Sequence, residues 1–161
     1  MRTPARDHDV RNSWPVAVGD VVIYRYPKRE GVPGKRRPCL VLAVNSGMEG
    51  VPRVTLAYGG DAELRANRGW EVSVRHEADR TAAGLRKPTR FTCARRMTTS
   101  AADCGFDRGP EGTPVIGRLS GALRERLARL LAHLDLERDQ PEGGLRRARC
   151  RLARATQPAP A

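Results

Sequence analysis

Residues 19–44, GDVVIYRYPKREGVPGKRRPCLVLAV, constrain the fold more than any other stretch. An apolar run opening on Gly19-Asp20 enters a loop rich in Gly, Pro, Lys and Arg. Lys35-Arg36-Arg37-Pro38 then leads straight into a second apolar run. Residues 39–44 are uniformly apolar, which suits a strand buried on both faces. The order sets Lys35, Arg36 and Arg37 at the mouth of that strand. Among cations Arg suits a phosphate best, because its planar fork donates two parallel hydrogen bonds to phosphate oxygens.

The rest of the chain reads as short strands with turns between them. Residues 18–26 form a first strand ended by Pro27, and the loop 28–37 carries Gly31, Pro33 and Gly34, which favour turns. Asn45-Ser46-Gly47 turns the chain into a third strand at 51–58. Residues 70–75, WEVSVR, alternate cleanly, so one face points inward. Residues 89–93 make a fifth strand and 114–116 a short sixth. Strands in succession without helices between them predict a mainly β domain, a sheet closed as a small SH3-like barrel. One helix follows: Leu119, Leu123, Leu127, Leu130, Leu131 and Leu134 recur at three- and four-residue spacing. Ser120 is placed to cap it, and the leucine stripe is expected to pack on the barrel. Three parts result: a polar tail at 1–13, a folded domain at 14–136 and a basic tail at 137–161.

The chain has 161 residues and a net charge of +12. Its length fits one domain with tails. No apolar run is long enough to span a membrane, and the N-terminus has no apolar leader core, so the expected location is the cytoplasm. Cys39, Cys93, Cys104 and Cys150 form no CxxC pair, so metal-ligand spacing is absent and no metal or cofactor is expected. Cys39 reads as a small buried hydrophobe. The charge admits two readings. One is a polyanion partner such as nucleic acid. The other is a coding sequence rich in G and C, which raises Arg, Ala, Gly and Pro together. The placement of particular arginines therefore carries more than their number.

With these landmarks in place, the chain resembles the MazF/PemK-type toxins of bacterial toxin–antitoxin pairs. GDVV, a loop and RRPCLVLAV carry the first part of the resemblance; VTLAYGG at 54–60 carries the second; GRLSGALRERLARLLAHLDL at 117–136 has the look of the family's closing helix. Ala83-Gly84-Leu85 followed by Thr89-Arg90-Phe91 adds a weaker element. The resemblance spans residues 14–136. It implies an SH3-like barrel, a homodimer, metal-independent cleavage of single-stranded RNA, inhibition of growth, and silencing by a cognate antitoxin.

Such cleavage turns the ribose 2′-hydroxyl onto its own phosphate. A base must take the hydroxyl proton, cations must hold the charge on the crowded phosphate, and the 5′-oxygen must leave with a proton. Arg37 matches the family's Arg directly before Pro and is the expected phosphate clamp. The alternative is a surface Arg shielding a strand end. Arg36 and Lys35 would steer RNA, with Tyr58 and Arg90 as further RNA contacts. Tyr58 and Trp70 equally suit the core, and Trp70 alternates with Val72 and Val74.

Two positions depart from the family pattern. Many relatives carry Thr just after the third strand, where this chain has Gly60. Asp61 follows and is the candidate base, or else a turn residue after two glycines. Some relatives carry an Arg-x-Asp pair where Thr92 and Ala94 stand. His76 and His133 read as surface or flanking residues, and His8 falls in the N-terminal tail. The departures leave a second reading open: a noncatalytic RNA-binding or regulatory module on the same fold.

Overall fold

The computed structural model describes residues 16–25, 34–62 and 70–138, with side chains through Asp135. The readings of 1–13 as a polar tail, of most of the loop at 28–37, and of the arginines at 146–154 lie outside these residues, as do His8 and Cys150.

The strands are β1 (Asp20–Arg25), β2 (Arg36–Asn45), β3 (Arg53–Asp61), β4 (Glu71–Val74), β5 (Thr89–Ser100) and β6 (Val115–Arg118). Helix α1 (Glu77–Ala82) lies between β4 and β5, and α2 (Gly121–Arg138) closes the domain. The strands form one antiparallel sheet in the order β4-β5-β3-β2-β1-β6, curled into a half-barrel. The expected mainly β class with a C-terminal helix is what the chain adopts.

The sheet has apolar side chains on both faces. On one, Val21, Leu40, Leu42, Ala57, Val72 and Phe91 pack against Leu119, Leu127, Leu130 and Leu134. The leucine stripe thus covers the sheet, as its periodicity predicts. On the other, Val22, Tyr24, Cys39, Val41, Val54 and Leu56 meet Ala101 and Phe106. Residues 39–42 are buried throughout, so β2 has no solvent face there.

Asp20, from the GDVV landmark, proves structural. It is 2% exposed, accepts a hydrogen bond from the Ala17 backbone N–H at 3.0 Å, and meets Arg118 of β6 at 3.2 Å. Helix α1 has no counterpart in the sequence reading. Its C-terminal end lies against β6, where a Cβ on Gly117 would fall 2.3 Å from the Ala83 carbonyl carbon. Strand β5 runs seven residues past its expected end, to Ser100, because its first part pairs with β3 and β4 while its second part pairs with β3 alone.

Leu127 is 1% exposed at the centre of the helix–sheet core. Leu127→Ala is expected to lower the unfolding free energy by about 2–5 kcal/mol, read by urea denaturation. The exposed Arg124→Ala on the same helix should change it by no more than about 0.5 kcal/mol.

Candidate functional site

Strand β2 begins at Arg36, so Arg36, Arg37 and Pro38 belong to the strand itself. Alternation then sends the two arginines to opposite faces. Arg37 shares the face of Cys39 and lies opposite Tyr24 of β1. Its guanidinium carbon sits 5.2 Å from the centroid of the Tyr58 ring, a cation–π contact. No described carboxylate pairs with it. Burial raises the Tyr58 phenol above its ordinary pKa, and the Arg37 charge only tempers the rise. Tyr58 therefore acts first on Arg37, fixing the direction of its fork, with one ring face already covered.

The two glycines after Tyr58 differ in their surroundings. A Cβ on Gly59 would fall 2.5 Å from the Pro38 carbonyl oxygen and 3.0 Å from the Phe91 ring. That position must stay bare for β2 and β3 to approach. A Cβ on Gly60 would meet nothing within 4 Å. Gly60 pairs with Arg90 of β5, and the β2–β3 register, carried two residues past Cys39↔Tyr58, runs Arg37 toward its other side. Gly60 is thus a bare floor on the Arg37 face, with an arginine on the strand to either side.

The other candidates are placed as follows. Arg90 is 7% exposed, with Nε 3.2 Å from Glu71 Oε2 on β4. The two charges face each other without hydrogen-bond alignment. Arg36 is ion-paired to Asp107. Lys35 is exposed just before β2. Asp61 ends β3 opposite Thr89, and alternation puts it on the face away from Tyr58 and Arg37. The structure brings together Arg37, Tyr58 and the Gly60 floor, with Arg90 beyond it; it does not bring Asp61 to that face. Thr92 lies opposite Glu71, and Ala94 is exposed in the stretch where the β3–β5 register shifts.

The sequence reading missed the segment after β5. Its Phe106 bridges to Tyr24, the Arg25 N–H donates to the Gly105 carbonyl at 2.8 Å, and the Asp107 N–H donates to the Ile23 carbonyl at 3.0 Å. This strap carries Asp107 to Arg36 and Asp103 to Tyr24. Asp103 accepts hydrogen bonds from the Tyr24 hydroxyl at 3.1 Å, the Thr99 hydroxyl at 2.5 Å and the Gly105 N–H at 2.7 Å. Burial alone would raise the Asp103 carboxyl, but hydrogen bonds from Thr99, Gly105 and Tyr24 together hold it below its ordinary 3.8. Burial pushes the Tyr24 phenol up from 10.0 to about 12, so it remains a donor across the neutral range. Burial likewise raises the Cys39 thiol to about 12 and the Cys93 thiol to about 11, which leaves both without nucleophilic thiolate near neutrality. The signal available in sequence was Asp103 two residues before Gly105, a local turn pattern that does not name its distant partner.

Among the described residues no group of His, Cys, Asp and Glu has the makings of a metal site, and no helix is long and apolar enough to cross a membrane. No protein-family model matches the chain, and no curated protein matches its sequence.

Two expectations follow. Gly59→Ala should lose about 1–3 kcal/mol of stability through the forced separation of β2 and β3. Gly60→Ala should be neutral or gain up to about 1 kcal/mol, since a strand glycine is replaced in open space; paired urea titrations compare the two. For Asp103, a depressed folded pKa contributes stability above the ordinary 3.8 that is lost as pH falls through the lower folded value. Asp103→Asn should therefore destabilise the protein at neutral pH and flatten the acid limb of its stability curve below about pH 4, read by thermal melts.

Proposed function

We propose that the protein is an endoribonuclease toxin of the MazF/PemK type, cutting single-stranded RNA without a metal ion, acting as a homodimer and silenced by a cognate antitoxin. One observation supports this above the others: the Arg37 guanidinium, steered by the Tyr58 ring, stands at the strand mouth beside the bare Gly60 floor. A phosphodiester lying over Gly60 would meet Arg37 from the β2 side. Fixed cations at that point stabilise the charge that grows on the phosphate as the 2′-oxygen attacks. Arg90, held by Glu71, would add to the positive field from the β5 side.

A second reading, a noncatalytic RNA-binding module, has its own support. Gly60 offers no hydroxyl, and alternation turns Asp61 away from the Arg37 face. The described carboxylates on neighbouring elements, Glu71, Asp103 and Asp107, are engaged by Arg90, by Tyr24 with Thr99, and by Arg36.

The two readings separate in one assay. Purified full-length protein, given single-stranded RNA in excess chelator, should yield fragments with 5′-hydroxyl ends. Arg37→Ala should lower the rate by about 10²-fold or more. Asp61→Asn should leave cleavage intact if its side chain faces away as placed. RNA left whole at high protein concentration, with binding retained, favours the noncatalytic module.

A further inference from the structure

A second polar concavity lies at the far end of β3, on the face opposite Arg37. Its floor is the sheet beyond the reach of the leucine stripe, and one wall is the last part of α2. The polar lining is Asn45 of β2, Arg53 and Thr55 of β3, Arg96 and Thr98 of β5, and Asp135 of α2, around a space of about 200 Å³. We propose that this cleft binds the phosphate and sugar of a nucleotide, at a site separate from the Arg37 mouth.

The donor inventory carries the proposal. Two guanidiniums and an amide face the space, and guanidiniums donate without accepting. Thr55, 6% exposed, has its hydroxyl 2.8 Å from that of Thr98, and either of the two can be the donor. Whichever donates, the other hydroxyl keeps its hydrogen for a ligand. Donors exceed acceptors, as a phosphate, which only accepts, requires. A divalent cation is a poor match, because the lining holds one carboxylate.

Asp135 refines the ligand. It stands in the final turn of α2, where the negative end of the helix dipole adds to its charge. A phosphate therefore belongs on the Arg53 side, and Asp135 accepts from a hydroxyl farther along the same molecule. A ribose supplies that hydroxyl. The space is smaller than a pocket for a drug-sized ligand, which begins at roughly 300 Å³. A phosphate and its sugar fit that scale, with the base left outside.

The proposal does not depend on RNA cleavage, and its test is kept apart from it. Full-length protein is titrated with inorganic phosphate, ribose 5-phosphate and a single-stranded oligodeoxynucleotide, which has no 2′-hydroxyl to react. Ribose 5-phosphate should bind the unaltered protein about tenfold or more tightly than the Arg53→Gln/Arg96→Gln variant. Arg37→Ala should leave that affinity unchanged. Displacement of ribose 5-phosphate by the oligodeoxynucleotide identifies a nucleic-acid strand as the occupant; independent binding identifies a free sugar phosphate. Should the double variant fail to fold, Arg53→Gln alone, on an exposed residue, gives the same comparison. Equal affinity of unaltered and Arg53→Gln protein for all three probes overturns the proposal, as does loss of ribose 5-phosphate binding in Arg37→Ala.

Discussion

Burial of β2 on both faces is the constraint from which the rest of the domain follows. Over residues 39–42 one face of the strand belongs to the core under α2 and the other to the core around Tyr24 and Phe106. No charge can be placed in that span without a partner, since an unpaired buried ion is far more costly than any single packing contact is favourable. Charges on β2 must therefore gather at its start, where Arg36 and Arg37 emerge. The same double burial forces β3 close against β2, and Gly59 is the position that permits it, with the Pro38 carbonyl where a side chain would begin. The bare surface at Gly60 is the solvent-side continuation of that close approach.

Charge in this molecule is largely answered where it stands. Arg36 meets Asp107, Arg90 meets Glu71 and Arg118 meets Asp20. The last two pairs each involve a buried partner, so their carboxylates would be costly to leave alone, while the exposed half of Arg36–Asp107 is screened by solvent and salt. Arg37 differs, being held by an aromatic face. A ring orients a guanidinium without neutralising it, so the positive charge remains available to an incoming anion. That distinction, rather than the net charge of +12, is what makes one position stand out among many arginines.

The sequence revealed what depends on local pattern. The uniformly apolar residues 39–44 announced a doubly buried strand, WEVSVR alternated as β4 does, and the leucines at three- and four-residue spacing drew the face of α2 that covers the sheet. It was silent where a feature depends on distant pairing. The strand character of Arg36 and Arg37 comes from β1, which supplies hydrogen bonds to residues that locally read as loop. The length of β5 comes from its change of neighbours. Helix α1 is a short turn of EADRTA with no buried residue of its own, so no hydrophobic period marks it.

The candidate site divides along the same line. Arg37 was legible because a guanidinium before a proline at the head of an apolar run is a local pattern. Tyr58 was legible as an aromatic near that mouth, but not its task of orienting Arg37, which needs the β2–β3 register. Asp61 was legible only by adjacency to Gly60, and strand alternation, a rule of period two, separates neighbours in sequence onto opposite faces. Asp103 and Asp107 were not legible at all. They reach Tyr24 and Arg36 across most of the chain, through a strap whose hydrogen bonds to β1 are made by backbone atoms that every sequence has. A carboxylate's role there is set by which edge the strap happens to meet, and that edge is open because β6 pairs only with the first part of β1, leaving residues 23–25 for the strap to cover.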